Sequence, residues 1–207
     1  YFLLFALYSI CMKGIPTHIV GVVQGVGFRP FVYNTAKRFH IRGTVKNDSS
    51  GVDIYAAGEE VGKFISAIQD YPPPLAKIEE FKTTEVEVDA KDFSIIESRE
   101  SGVKKVDISV DTRTCDDCLR EFNDPHDRRH LYPFINCTNC GPRYTIIKDV
   151  PYDRPLTSMA EFEMCPDCDK EYHDPTDRRF HAQPNCCPVC GPQYDDVENA
   201  VELIQDG

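Results

Sequence analysis

The stretch Ile19-Val-Gly-Val-Val-Gln-Gly-Val-Gly-Phe-Arg-Pro-Phe-Val-Tyr-Asn-Thr-Ala-Lys-Arg-Phe39 decides how the first half of this 207-residue chain folds. Its β-branched opening, Ile19, Val20, Val22 and Val23, reads as a strand, and Gly25 and Gly27 punctuate a turn. Phe28, Phe31, Val32, Thr35, Ala36 and Phe39 then recur at helical spacing and form one apolar stripe for burial on a sheet. A strand, a glycine turn and a helix in that order leave backbone N–H groups bare at the helix start, which is a nest for an anion. Arg29 stands in the junction, and its planar fork matches phosphate oxygens as lysine would not. The turn lacks the Lys-Ser/Thr ending of a Walker loop. Glycines also occur at such junctions with no ligand present, so the pattern alone leaves both uses open.

Downstream, Ile41 to Lys46 and Val52 to Ala56 read as two strands of a hairpin, joined through Asn47-Asp-Ser-Ser-Gly51, a run of turn formers. Val61, Phe64, Ile65 and Ile68 mark a second amphipathic helix, which Pro72-Pro73-Pro74 cannot continue. Glu85-Val-Glu-Val88 and Phe93 to Ile96 supply the last strands. The order β-α-β-β-α-β predicts an α+β, ferredoxin-like fold with two helices on one face of an antiparallel sheet.

Charge is uneven along this half. Thr17 to Asn47 carries five bases, Arg29, Lys37, Arg38, Arg42 and Lys46, and no acid, whereas Asp48 to Glu100 carries 13 acids against five bases. The positive stretch is therefore local to the glycine turn and can draw an anion there, although a solvated helix face accounts equally for Lys37 and Arg38. The whole chain has a formal charge of −11. That excludes general nucleic-acid binding through a basic surface, which needs clustered Lys and Arg to release counterions.

Eight of the ten cysteines form four Cys-x-x-Cys pairs: Cys115/Cys118, Cys137/Cys140, Cys165/Cys168 and Cys187/Cys190. The pairs belong to an internal duplication. Asn123-Asp-Pro-His-Asp-Arg-Arg129 lies 50 residues before His173-Asp-Pro-Thr-Asp-Arg-Arg179, and Cys-Gly-Pro recurs at 140–142 and 190–192. Eight thiolates supply two closed Cys₄ sites, each suited to a structural Zn²⁺ with no position left for a reacting water. Disulfides and an iron–sulfur cluster are the rival uses, and repeated Cys-x-x-Cys pairs favour metal in a reducing, cytoplasmic setting. Sites within each repeat, or an interleaved pairing of first with fourth and second with third, satisfy the spacing equally. The register of the repeat selects Cys187 over Cys186, leaving Cys11 and Cys186 as free thiols. His126, His130, His173 and His181 are spare ligands that eight cysteines make unnecessary. Each zinc-loaded centre carries a net −2, taking the chain to about −15. The Asp-Pro-x-Asp-Arg-Arg turns and Phe180-His-Ala-Gln-Pro184 read either as a partner contact or as ordinary turns with a surface Arg–Asp network.

The motif Gly-x-Val-Gln-Gly-Val-x-Phe-Arg at 21–29, followed by Gly43-Thr-Val-Lys-Asn47-Asp-Ser-Ser-Gly51, resembles both signatures of the acylphosphatase family. The resemblance implies that the backbone amides of Gln24, Gly25, Val26, Gly27, Phe28 and Arg29, with the Arg29 side chain, hold a phosphoryl group. It implies also that Asn47 orients the attacking water. An acyl phosphate has a good leaving group, so positioning and charge stabilisation suffice without a strong base.

Joined to the duplicated cysteines, with Asn136-Cys-Thr-Asn-Cys-Gly-Pro-Arg143, Pro151-Tyr-Asp-Arg-Pro155, Thr157-Ser-Met-Ala160 and Arg179-Phe-His-Ala-Gln-Pro184, the chain resembles the N-terminal part of the HypF family of [NiFe]-hydrogenase maturation carbamoyltransferases. That resemblance implies hydrolysis of carbamoyl phosphate to carbamate and phosphate at Arg29 and Asn47. ATP use and transfer of the carbamoyl group to the maturation protein HypE would belong to domains downstream of this sequence. A generic acylphosphatase with a zinc appendage, or a non-enzymatic zinc scaffold for protein clients, are the rivals. The expected organisation is an upstream or non-native segment at 1–11, an acylphosphatase-like domain at 12–100, a duplicated zinc-finger domain at 101–195, and the start of a linker or helix at 196–207. The apolar run Tyr1 to Ile10 falls short of the roughly 20 residues that span a bilayer, so no membrane segment is expected.

Overall fold

The computed structural model describes residues 12–88, 92–98 and 107–193. The expectations for 1–11 and 196–207, and the domain boundary at 100/101, lie outside the described residues. Strand β1 (Met12–Val22) leads through the glycine turn into helix α1 (Phe28–Arg38), and β2 (Arg42–Asp48) and β3 (Gly51–Ala57) form the hairpin. Helix α2 (Val61–Asp70) follows, then β4 (Lys77–Thr83), β5 (Val86–Val88) and β6 (Phe93–Ile95). The sheet runs β4-β1-β3-β2-β6, with β5 also paired to β1. Strand β3 lies between β1 and β2, the split arrangement that the element order implied.

Two features depart from the expected sheet. Strand β6 runs parallel to β2, so the sheet is mixed rather than antiparallel throughout. Strand β4 was not foreseen, because its apolar residues Ile78 and Phe81 stand three apart and break the period of two that marks a strand. The register supplies the reason: Val20 pairs with Glu80 but Gly21 with Ile78, so Glu79 is bulged out of the ladder. A bulge resets the alternation, and both Ile78 and Phe81 pack against the core while the charged remainder of β4 faces outward. That charge also protects a sheet edge from further pairing.

The core of this half is the helix stripe pressed on the sheet. Phe28, Val32 and Ala36 of α1 and Phe64 and Ile68 of α2 are buried with Ile19, Val45, Val52, Ile54 and Phe93. Phe31 and Phe39 close its margin.

The second half is irregular apart from two eight-residue helices, α3 (Asp116–Asn123) and α4 (Pro166–His173), and short 3₁₀ turns. The duplication persists in the backbone: α3 and α4 start directly after Cys115 and Cys165 with matching extended caps, and Leu131 and His181, 50 residues apart, both adopt φ 54°. Among the described residues, no helix is long and apolar enough to cross a membrane.

Candidate functional site

Gly25 and Gly27 adopt φ 73° and 75°, the left-handed region where a side chain is strained, and Gly27 caps α1 without any side-chain acceptor. The first turn of α1 carries no acid, so its N–H groups and dipole remain available to an anion. Arg29 is the second residue of the helix and is only 8% exposed. Asn47 sits near the end of β2, fully buried. Gln24 ties the two elements together, since its Nε2 donates to the carbonyls of Asp48 at 2.7 Å and Gly51 at 2.8 Å. As a result Arg29 Nη2 and Asn47 Nδ2 converge on one point: each lies 3.4 Å from the carbonyl oxygen of Tyr152. Val26 and Phe28 turn their side chains into the core, so they can offer a ligand only their backbone.

The second half covers this site. Gln24 Oε1 accepts from Tyr152 N at 2.8 Å, and a methyl group built on Gly25 would strike Pro142 and Tyr152 within 3 Å. The glycines therefore serve the joint between the halves as well as the turn. Asp153 places its carboxylate 2.6 Å from Arg29 Nη2. Beneath lies a small cavity of about 20 Å³, lined among others by Arg29, Asn47, Asn136, Tyr152 and His181. That is room for a water molecule. Asn47 Oδ1 and both amide atoms of Asn136 are buried in its wall with no hydrogen-bond partner. A larger cavity of about 450 Å³ shares Arg29, His181 and Gln183 as walls and has Asp153 at its edge. Burial, helped by the Arg29 charge and by His173, pushes the His181 pKa down to about 3, so its ring is neutral at neutral pH. His181 is thus a wall of the arginine site and has no place in either cysteine cluster.

The cysteines settle the pairing question. Cys115, Cys118, Cys137 and Cys140 form one cluster, and Cys165, Cys168, Cys187 and Cys190 the other, with the sulfurs of each all within 4.8 Å of one another. The sites lie within each repeat, and the interleaved arrangement is not formed. Sulfur separations of 3.6 Å for Cys115–Cys137 and 3.7 Å for Cys165–Cys187 match the edge of a tetrahedron with metal–sulfur bonds of about 2.3 Å. All nine described cysteines are free of disulfides, and Cys186 stays outside the clusters, buried beside the Tyr132 hydroxyl.

The arginines of these turns are not a surface network, and the second turn meets the sheet half, where Asn34 Nδ2 donates to the Pro175 carbonyl at 3.0 Å. Arg129 and Arg179 are 2% and 3% exposed, and each repeat sends its pair into the other. Arg129 and Arg128 hold Glu171, while Arg179 and Arg178 hold Glu121. Burial opposes ionisation of Glu171, but Arg129 and Arg128 outweigh it and keep its pKa down at about 2. The same arginines reach across to cysteine sulfurs: Arg178 Nη1 lies 2.8 Å from Cys118 Sγ, and Arg128 Nη2 lies 3.4 Å from Cys168 Sγ. Guanidinium charge so placed would offset the negative charge of four thiolates around a metal. The aspartates of the turns serve the backbone instead, with Asp127 and Asp177 each accepting from the N–H two residues on.

A model of the acylphosphatase family matches residues 16–95, and one described as the HypF finger matches 114–147 and 164–195. Over 147 residues the chain is 48% identical to carbamoyltransferase HypF2 of Cupriavidus necator, covering 69% of this chain and 18% of that protein. It is 43% identical over 84 residues to the acylphosphatase of Listeria welshimeri, covering 38% of this chain and 89% of that one. The crystal structure of full-length HypF in its phosphate- and nucleotide-bound form matches with a TM-score of 0.85 at 49% identity, over 94% of this chain and 27% of that one. The chain therefore spans less than a fifth of the length of the carbamoyltransferase it matches.

Proposed function

We propose that this chain, which belongs to the acylphosphatase family and carries the HypF finger beside that domain, hydrolyses carbamoyl phosphate to carbamate and phosphate at Arg29 and Asn47. The observation that carries the reading is the convergence of the Arg29 fork and the Asn47 amide beneath a glycine loop that opens a helix. The substrate is suggested by the relatives, which are carbamoyltransferases.

In the reaction the phosphoryl group takes Arg29 from Asp153 and from the Tyr152 carbonyl, which must draw back to widen a cavity that otherwise has room for a water, and it accepts hydrogen bonds from the amides of residues 24–29. Asn47 Oδ1, which has no partner in the folded chain, accepts a hydrogen bond from a water and aims it at phosphorus. The water oxygen bonds to phosphorus as the bond to the carbamoyl oxygen breaks. The bonding electrons leave with carbamate, and both water protons remain on the phosphate. Arg29 and the amides stabilise the charge on the equatorial oxygens, which is where positioned donors act in phosphoryl transfer. Two Zn²⁺ ions, one in each Cys₄ cluster, would hold the second half together and take no part in the bond changes. Activation with ATP and delivery to HypE belong, in this reading, to the remaining length of the full-length relatives, and the thiolate-rich finger suits the reducing cytoplasm.

Phosphate release from carbamoyl phosphate by the zinc-loaded chain tests the proposal. Arg29→Ala should lose on the order of 10²–10³ in rate and Asn47→Ala a comparable factor. Release at the wild-type rate by either variant would overturn the assignment. A scaffold that only binds protein clients would keep that binding in Arg29→Ala.

A further inference from the structure

Asn136 is 3% exposed and lines the small cavity at Arg29, yet neither its Oδ1 nor its Nδ2 has a hydrogen-bond partner. Leaving both ends of a buried amide unpaired is costly, and such groups in a folded protein call for an explanation. Nothing about the backbone at this position is loose. The Asn136 carbonyl accepts from Arg179 Nε at 3.2 Å, the next residue is Cys137 of the first cluster, and Thr138 is held to the Arg178 carbonyl by both its N–H and its hydroxyl. A rigid segment of the finger half therefore holds a free amide against the arginine site of the sheet half.

We propose that Asn136 is a specificity-determining residue that reads the carbamoyl end of the substrate, an inference that rests on the carbamoyl phosphate reading above. A carbamoyl group offers one carbonyl acceptor and one NH₂ donor. An asparagine side chain presents the complement, with Nδ2 donating to the carbonyl and Oδ1 accepting from the NH₂. Acetyl phosphate has the same size but a methyl in place of NH₂, so it would leave Oδ1 buried and unpaired. A site built to pair a donor rejects an analogue without one far better than an apolar pocket rejects an extra atom. The arrangement gives the finger half a chemical task at a site whose phosphate-binding groups all lie on the sheet half.

The test compares carbamoyl phosphate with acetyl phosphate, each corrected for its own uncatalysed breakdown, in the wild-type chain, Asn136→Ala and Asn136→Ser. The wild type should favour carbamoyl phosphate in kcat/KM by at least about tenfold, and Asn136→Ala should lose roughly 10–100-fold on that substrate. Because the contact is made equally in ground and transition states, the loss should appear in KM. Acetyl phosphate, which meets only the Nδ2 donor, should lose several-fold less than carbamoyl phosphate does, and the inhibition constant of inorganic phosphate and the metal content should change by less than about threefold. No preference in the wild type overturns the inference whatever the variants do. Equal losses on both substrates in the variants, with metal and phosphate binding intact, overturn it as well. Failure of the underlying reading is distinct: neither substrate would then be hydrolysed in an Arg29-dependent manner.

Discussion

Fourteen buried apolar residues knit the sheet half into one core, whereas the finger half has two clusters of four and three buried residues, and four of those seven are cysteines. The first half holds its shape by removing apolar surface from water, at about 25 cal/mol per Å². The second has too little such surface and too little regular structure, so its cohesion falls to its two Cys₄ clusters, which can hold a metal, and to arginines exchanged between repeats. At the joint the sheet half supplies a glycine turn that opens a helix, and the finger half supplies polar groups held by charge pairs between its repeats.

Removing the metal should break the contrast most severely. Structural zinc sites contribute about 10–16 kcal/mol of binding free energy that is also folding free energy. A chelator should therefore unfold the finger half while the sheet half keeps its strands. Limited proteolysis would show cuts confined to 107–193, with 12–88 protected. Simultaneous loss of protection in both halves would mean that the sheet half depends on its neighbour to fold.

Next in size is Arg129→Ala. This side chain meets Glu171 through two hydrogen bonds, donates to the Cys186 carbonyl at 2.8 Å and reaches Asn185 Oδ1 at 3.0 Å. Its loss leaves Glu171 to Arg128 and strips the Cys186 carbonyl and Asn185 Oδ1 of a donor, which should cost about 3 kcal/mol in denaturant at saturating zinc. Arg120→Ala, which removes an exposed partner of Asp117 on α3, should cost less than about 1 kcal/mol. Arg129→Lys should recover little, because an ammonium cannot reproduce the fork. Equal costs at positions 129 and 120 would show that the exchange between repeats does not hold the finger half.

How far the sequence revealed these halves follows from where their determinants lie. The glycine turn, both helices of the sheet half and the cysteine repeat are local patterns of spacing, and each formed within a residue or two of expectation. Strand β4 escaped because its bulge at Glu79 erased the alternation that announces a strand. Arg129 and Arg179 looked like surface residues because an Asp stood two positions away, whereas their true partners, Glu171 and Glu121, lie 42 and 58 residues off. The motifs single out Asn47 and Arg29, and the fold brings both to one carbonyl oxygen. Tyr152 and Asp153 stood in a quoted motif without a role, since their contacts with Arg29 and Asn47 cross more than 100 residues of chain.

The smallest effect sharpens the comparison at the joint itself. Asp153 ties the finger half to α1 through Arg29, and in the proposed reaction it holds the fork that the phosphoryl group takes. Asp153→Asn keeps the shape and removes the charge. Without phosphate the variant should be less stable than wild type, because Arg29 is left buried with its charge unpaired. Phosphate should then bind about tenfold tighter, since it no longer displaces a carboxylate, and it should restore the lost stability by binding only the folded form. Phosphate inhibition constants and thermal midpoints with and without phosphate measure both halves of the prediction. If the variant binds phosphate no more tightly, Asp153 does not compete for the fork, and the finger half meets the anion site by packing alone.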